Sequence, residues 1–96
     1  NPPYKYVQAF CEKAYSLVGY GKKIAMFMKL LHLEGKSRKK MWLEIPLKTL
    51  YVSSSRILCA RNGNFEEARK EGSATAYAWY VWEKGYKGET VIKWIN

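Results

Sequence analysis

Residues 74–82, ATAYAWYVW, constrain the fold more tightly than any other stretch of this 96-residue sequence. Small and aromatic side chains fill both alternating faces and no helix breaker interrupts them, which predicts a strand. The turn residues Lys84-Gly85-Tyr86-Lys87-Gly88 follow, and residues 90–95, TVIKWI, then read as a last strand. Two strands joined by a glycine-containing turn predict an antiparallel hairpin at this end of the chain.

The first half has a different rhythm. In residues 4–18 the apolar Val7, Phe10, Cys11, Ala14, Leu17 and Val18 recur at helical spacing, with Lys5, Gln8, Glu12, Lys13 and Ser16 between them. That pattern predicts an amphipathic helix of about four turns, bounded by Pro2 and Pro3 before it and by Gly19 and Gly21 after it. Residues 23–33, KIAMFMKLLHL, are mostly apolar without helical gaps and predict a strand buried on both faces of a sheet. A turn and basic cluster over residues 34–40 lead into a short helix at Met41, Trp42 and Leu43, closed by Pro46. Residues 49–52 and 56–60 read as strand segments around an irregular Ser53-Ser54-Ser55 step, and residues 61–73 as a polar loop. The expected class is α/β in one domain over residues 1–96, a partial sheet with a helix–strand start and an antiparallel hairpin end. A parallel sheet ordinarily carries strands ahead of its first helix, and none precedes this one.

Seventeen Lys and Arg against eight Asp and Glu leave a formal net charge of +9. Such a balance favours polyanionic partners, nucleic acid first, and argues against acidic-surface roles. Lys36, Arg38, Lys39 and Lys40 cluster where an open α/β sheet places its ligand-facing loops, so they are candidate phosphate contacts, and Arg56 after the serine run is another. The same cluster also reads as a solvated turn or helix start with no partner. Trp79, Tyr80 and Trp82 read as core, which leaves Tyr86 at the turn as the more exposed candidate for stacking a base.

Other chemistry is poorly supplied. Cys11 and Cys59 stand far apart with no CxxC pairing, which predicts reduced, buried thiols in a cytoplasmic protein. His32 is the sole histidine and is expected in the core or at a strand end, with no metal site. Glu66, Glu67 and Glu71 lie among Arg69 and Lys70 and are expected to be a solvated loop rather than paired catalytic carboxylates. The longest apolar run is broken by Lys29 and His32 and is short of the roughly 20 residues of a membrane span. No secretory signal is visible, and the chain opens without an initiator Met, so it is expected to be processed or part of a longer product.

That opening, Asn1-Pro2-Pro3-Tyr4, is a compact chemical device if it sits at the carboxyl end of a strand. The prolines stiffen the backbone, and the Asn amide oxygen and a proline carbonyl can accept the two protons of an exocyclic amine. The amine nitrogen is then held with its lone pair free to attack an electrophile, while Tyr4 offers a ring face to a planar base. The same four residues also serve as a Pro-rich lead into a helix.

The NPPY opening resembles the catalytic motif of DNA adenine-N6 methyltransferases. The remainder resembles the carboxyl-terminal half of a phage-type group of such enzymes, through YKYVQAFCEKAYSLV, IAMFMKLLHLEGKSRKK, PLKTLYVSSSRI and AYAWYVWEKGYKGETVIKWIN in that order. Within the last segment the spacing of Trp79, Trp82, Gly85, Tyr86, Gly88 and Trp94 is more specific than NPPY itself. The resemblance implies a Rossmann-like sheet, S-adenosylmethionine as methyl donor, and a target base flipped out of DNA. It implies that Asn1 and Pro2 hold the adenine amine, Pro3 keeps the turn rigid and Tyr4 stacks on the ring. The family's donor site lies upstream, on a strand followed by a Gly-containing turn and an acidic residue for the ribose. This chain does not supply it, since Gly19-Tyr20-Gly21 follows a helix, so the chain alone is expected to be inactive. The partners implied are DNA and either a second copy or the missing amino-terminal half, in a bacterial or phage-infected cell. Two other readings are a non-enzymatic basic module binding nucleic acid or protein, and a purely structural or assembly protein.

Overall fold

A computed structural model describes residues 6–53 and 76–95. They form a mixed α/β fold of two helices and a four-stranded sheet: α1 Val7–Leu17, β1 Lys23–Lys29, α2 Lys36–Glu44, β2 Thr49–Ser53, β3 Tyr77–Glu83 and β4 Val91–Ile95. A 3-10 turn, Leu30–Leu33, joins β1 to α2. The strand segment expected at 56–60, the polar loop at 61–73 and Cys59 lie outside the described residues.

Strand order is β1-β3-β2-β4. β3 pairs antiparallel with both β1 and β2, so β1 and β2 run parallel to each other, with α2 as the crossover between them. β4 pairs parallel with β2, not with β3, which corrects the antiparallel hairpin expected at the end of the chain. The physical reason lies at Lys48. Its N–H donates to Val81 O (2.9 Å) and its carbonyl accepts from Val91 N (3.1 Å), so β2 occupies the ladder position beside β3 and leaves only its far side to β4. Residues 84–90 are seven in number, longer than the usual hairpin loop of about 2–5 and long enough to pass the end of β2. Thr90 Oγ1 donates to Leu47 O (2.9 Å) and Lys87 Nζ to Glu44 O (3.1 Å), tying that passage down.

The pleat sorts the sheet into two faces. On one, the row Met26–Tyr80–Leu50–Ile92 crosses all four strands; on the other, the adjacent row is Phe27–Trp79–Tyr51–Lys93. Both helices cover the first face: Val7 and Cys11 of α1 and Met41 of α2 join Met28, Leu47, Leu50, Ala78, Tyr80 and Trp82 in the core. In α1 the buried stripe is narrower than the apolar pattern, because Phe10 and Leu17 are exposed. The Cys11 thiol sits 3.9 Å from Met26 Sδ and is pushed up to about 12 by burial, with Glu12 adding to the shift, so it stays protonated and inert.

Two expectations change in the segment after α1. Among the described strands β1 is an edge strand in which only Met28 is fully buried, rather than a doubly buried strand over residues 23–33. Leu30, Leu31 and Leu33 lengthened the apolar run, yet they belong to the 3-10 turn, where Leu31 and Leu33 are exposed. The basic cluster is not a turn before the helix; it is the first half of α2. Trp42 in that helix stacks over Tyr80 at 5.8 Å and Trp82 at 6.0 Å.

Truncating Trp82 removes the largest fully buried side chain and leaves the Ile45 carbonyl without its indole donor. Trp82→Ala is expected to lower unfolding stability by about 3–5 kcal/mol. Trp94→Ala, at a position 68% exposed, should change it by less than about 0.5 kcal/mol. Urea denaturation of the two variants checks the contrast.

Candidate nucleic-acid interface

α1 lies antiparallel to β1, as three contacts along its length show. Near its end, Tyr15 OH accepts from Gly85 N (3.0 Å) and Ser16 O accepts from Lys84 Nζ (3.3 Å), both just past the end of β3 and so beside the start of β1. In its middle, Cys11 meets Met26 of β1. The beginning of α1, the carboxyl end of β1 and the beginning of α2 therefore gather at one end of the sheet. In an open α/β sheet this is the end where ligands bind. The turn at residues 19–21 lies at the opposite end, where Gly21 N donates to Lys84 O (3.0 Å).

Among the phosphate candidates at that end, Arg38 does something other than expected. Its guanidinium turns back along the chain, with Nε donating to His32 O (2.9 Å) and Nη2 to Glu34 O (2.6 Å). It satisfies carbonyls of the turn that leads into its own helix, and it is half-buried. Gly35, at φ 120°, leaves room for this: a Cβ there would stand 3.0 Å from Arg38 Nη2. Lys36, Lys39 and Lys40 are exposed, and Lys40 lies 3.8 Å from Glu44 in a solvated i,i+4 pair of little energetic weight. Among the described residues no carboxylate pairs with Lys36 or Lys39, and no acidic residue occupies the first turn of α2. The amino end of the helix thus carries positive charge on positive dipole, an arrangement that an anion relieves.

Tyr86 is not the open stacking residue that its turn suggested. It is half-buried, its hydroxyl donates to Glu89 O (2.5 Å), and Lys48 Nζ sits 5.9 Å from its ring centroid. Asn1, Pro2, Pro3, Tyr4 and Arg56 lie outside the described residues. Trp79, which reads as core in the sequence, is 41% exposed, whereas Tyr80 and Trp82 are fully buried. Strict alternation within β3 was the signal that separates it from its neighbours. An apolar cleft of about 240 Å³ lies between Leu33, Trp42, Leu47, Leu50, Thr90 and Ile92, and with no charged lining it does not suit a phosphate. Among the described residues no three His, Cys, Asp or Glu side chains come together as metal ligands, and no helix is long and apolar enough to cross a membrane.

His32, buried in the 3-10 turn, feels the cluster directly. Burial lowers its pKa from the ordinary 6.5, and the charges of Arg38 and then Lys29 lower it further. The unfolded chain takes up this proton more readily, so the contribution to stability is complete above about 6.5 and is lost as pH falls from there toward the lowered folded-state value. His32→Gln is expected to flatten that part of the stability–pH curve, as measured by urea denaturation between about pH 7.5 and 5. Arg38→Ala should cost about 1–2 kcal/mol of stability by leaving two carbonyls without donors, while Lys39→Ala, at an exposed position, stays within about 0.5 kcal/mol. Equal effects of the two would refute the distinction.

No family model matches this chain, no curated protein matches its sequence, and no solved structure matches its fold.

Proposed function

We propose that this chain is the portion of an S-adenosylmethionine-dependent DNA adenine-N6 methyltransferase that grips the target amine, built on part of a Rossmann-like sheet. The observation that carries the reading is the convergence at one sheet end: α1 begins there at Val7, β1 ends there at Lys29, and the lysines of α2 follow. In the sequence only Lys5 separates Asn1 to Tyr4 from the Tyr6 that leads into α1. The parallel pair β1 and β2 with its helical crossover is the supersecondary unit such a sheet requires, and β1 keeps one edge unpaired among the described residues. A strand from an amino-terminal half, or from a second copy, suits that edge.

In this reading Asn1 and Pro2 accept the two amine protons, Pro3 keeps the turn rigid, Tyr4 stacks on the extruded adenine, and Lys36, Lys39 and Lys40 neutralise backbone phosphates. Arg38 shapes the turn beneath them. S-adenosylmethionine, when bound, supplies the methyl group, but the described residues do not fit it. The strand-to-helix turn after β1 does hold a glycine, yet the Arg38 guanidinium fills the space at Gly35. In this reading the donor pocket lies outside the described residues, and this chain alone is expected to show no methyl transfer. A second reading, a basic nucleic-acid-binding module without catalysis, draws on the same exposed lysines.

Binding to a duplex with a mismatched adenine separates the two readings. A base that is already unpaired is cheaper to extrude, so the methyltransferase reading expects such a duplex to bind roughly tenfold tighter than the fully paired one. Tyr4→Ala should abolish that preference, and the double change Lys39→Ala with Lys40→Ala should weaken both duplexes about equally. Labelled S-adenosylmethionine should give no transfer with this chain alone. Equal affinity for the two duplexes would leave only the basic-module reading, and transfer lost in Asn1→Ala would show that the chain carries its own donor site.

A further inference from the structure

The row Phe27–Trp79–Tyr51–Lys93 crosses all four strands on the face turned away from both helices. Every strand residue of the core cluster lies on the opposite face. Trp79 occupies the middle of β3, a strand paired on both sides, where a tryptophan is ordinarily covered, yet 41% of it is exposed. Its orientation is fixed from one side by Phe27, whose ring centroid lies 5.2 Å away at 51°, and Phe27 itself stacks on Tyr77 at 5.0 Å and 12°. Tyr51 stands beside Trp79 on the next strand, about 4.8 Å across the ladder. The exposed Lys93 ends the row on β4, and the exposed Lys23 lies on the same face of β1. Glu83, opposite Lys23, is held by Lys48 at 3.1 Å.

We propose that this face binds a single strand of DNA, with one base stacked on Trp79, its neighbour against Tyr51, and phosphates drawn to Lys93 and Lys23. The charge of the face decides the class of partner: lysines flank the aromatic row, and among the described residues its acidic side chain, Glu83, is already neutralised. An apolar protein surface or a neutral lipid would leave those ammonium groups without counterions. Aromatic platforms one strand apart match consecutive bases of a flexible strand, and alternating platform and cation is how single strands are held without sequence preference. A duplex hides its base faces and does not suit the row. The residues concerned are distinct from Asn1 to Tyr4 and from the lysines of α2; only the choice of DNA over RNA rests on the methyltransferase reading.

The test is a titration of the full chain with oligothymidylate of about eight nucleotides at low salt, followed by tryptophan fluorescence. The expected result is quenching that saturates, with Trp79→Ala weakening affinity about tenfold or more. Lys93→Ala should reduce the salt dependence by about one phosphate contact. Tyr51→Ser provides a second probe of the platform should Trp79→Ala lose its cooperative urea unfolding. Trp94→Ala, exposed on the opposite face, should leave affinity unchanged. Affinity unaffected by both Trp79→Ala and Tyr51→Ser overturns the proposal, as does equal competition by a duplex of the same length. Binding of phosphatidylcholine vesicles with no oligothymidylate binding also overturns it, and tighter binding of oligouridylate overturns the choice of DNA. Equal affinity of the unmodified chain for the paired and mismatched-adenine duplexes, with this binding intact, would count against the methyltransferase reading alone.

Discussion

Tyr80 and Trp82 stand two residues apart on β3, so both rings enter the same face of the sheet and both meet Trp42 of α2. Each is fully buried and each carries a polar atom that must keep a partner once water is removed. Tyr80 OH donates to Lys29 O (2.6 Å), where β1 ends, and Trp82 Nε1 donates to Ile45 O (3.0 Å), where α2 ends. Those two carbonyls mark the two ends of the 3-10 turn and helix that connect the parallel strands. One central strand therefore holds its neighbour β1 by ladder bonds and pins the connection through the 3-10 turn and α2 by one side-chain bond at each end. A buried donor left unpaired costs about 1–3 kcal/mol, so the pairings select this placement of α2 over a looser one. Burial also pushes the Tyr80 phenol above its ordinary range, with the Cys11 thiol adding to it, which keeps the hydroxyl a donor.

Placing β3 between β1 and β2 has consequences at both margins of the sheet. The two strands it separates become parallel, and the segment after β3 has to pass the end of β2 before it can pair. Among the described strands, β4 then presents Val91, Ile92 and Trp94 at the far edge, all substantially exposed, while β1 forms the other edge. Both margins are places where another strand or chain can add. The helices take one face only, so the aromatic side chains at odd positions of β3 share the other face with lysines instead of entering the core.

Positive charge at the carboxyl end of β1 is divided by role. Arg38 can bond two carbonyls at once because its fork holds several donors in fixed geometry, and its position one turn into α2 brings that fork back over Glu34 and His32. Lysine, with a single ammonium on a flexible stem, leaves Lys36 and Lys39 in water. The arginine also bears on His32, whose proton is disfavoured by burial and by the guanidinium together. Local structure and a diffuse electrostatic surface thus come from adjacent residues of one short run.

The helical spacing around Val7 and Cys11, the strand pattern of residues 74–82, which overlaps the observed β3 from Tyr77, and the +9 charge were legible in the sequence, because they rest on local periodicity and on counting. Spacing also marked Gly19 and Gly21 as the end of α1. Pairing was not legible: TVIKWI reads as a strand beside whichever partner is free, and only the backbone bonds of Lys48 on both sides decided that β2 lies between β3 and β4. The apolar run KIAMFMKLLHL had no internal sign of where extended chain gives way to a 3-10 turn. The bond from Leu30 N to Ala76 O (2.9 Å) and the Tyr80 hydroxyl at Lys29 O place that break, and both come from residues about fifty positions away in the chain. Exposure of Trp79 follows the same rule, whereas Arg38 engages carbonyls only four and six residues back along the chain. Residue type sets what a side chain is able to do, whereas which face it occupies and which carbonyl lies within reach depend on strands brought together from distant parts of the sequence.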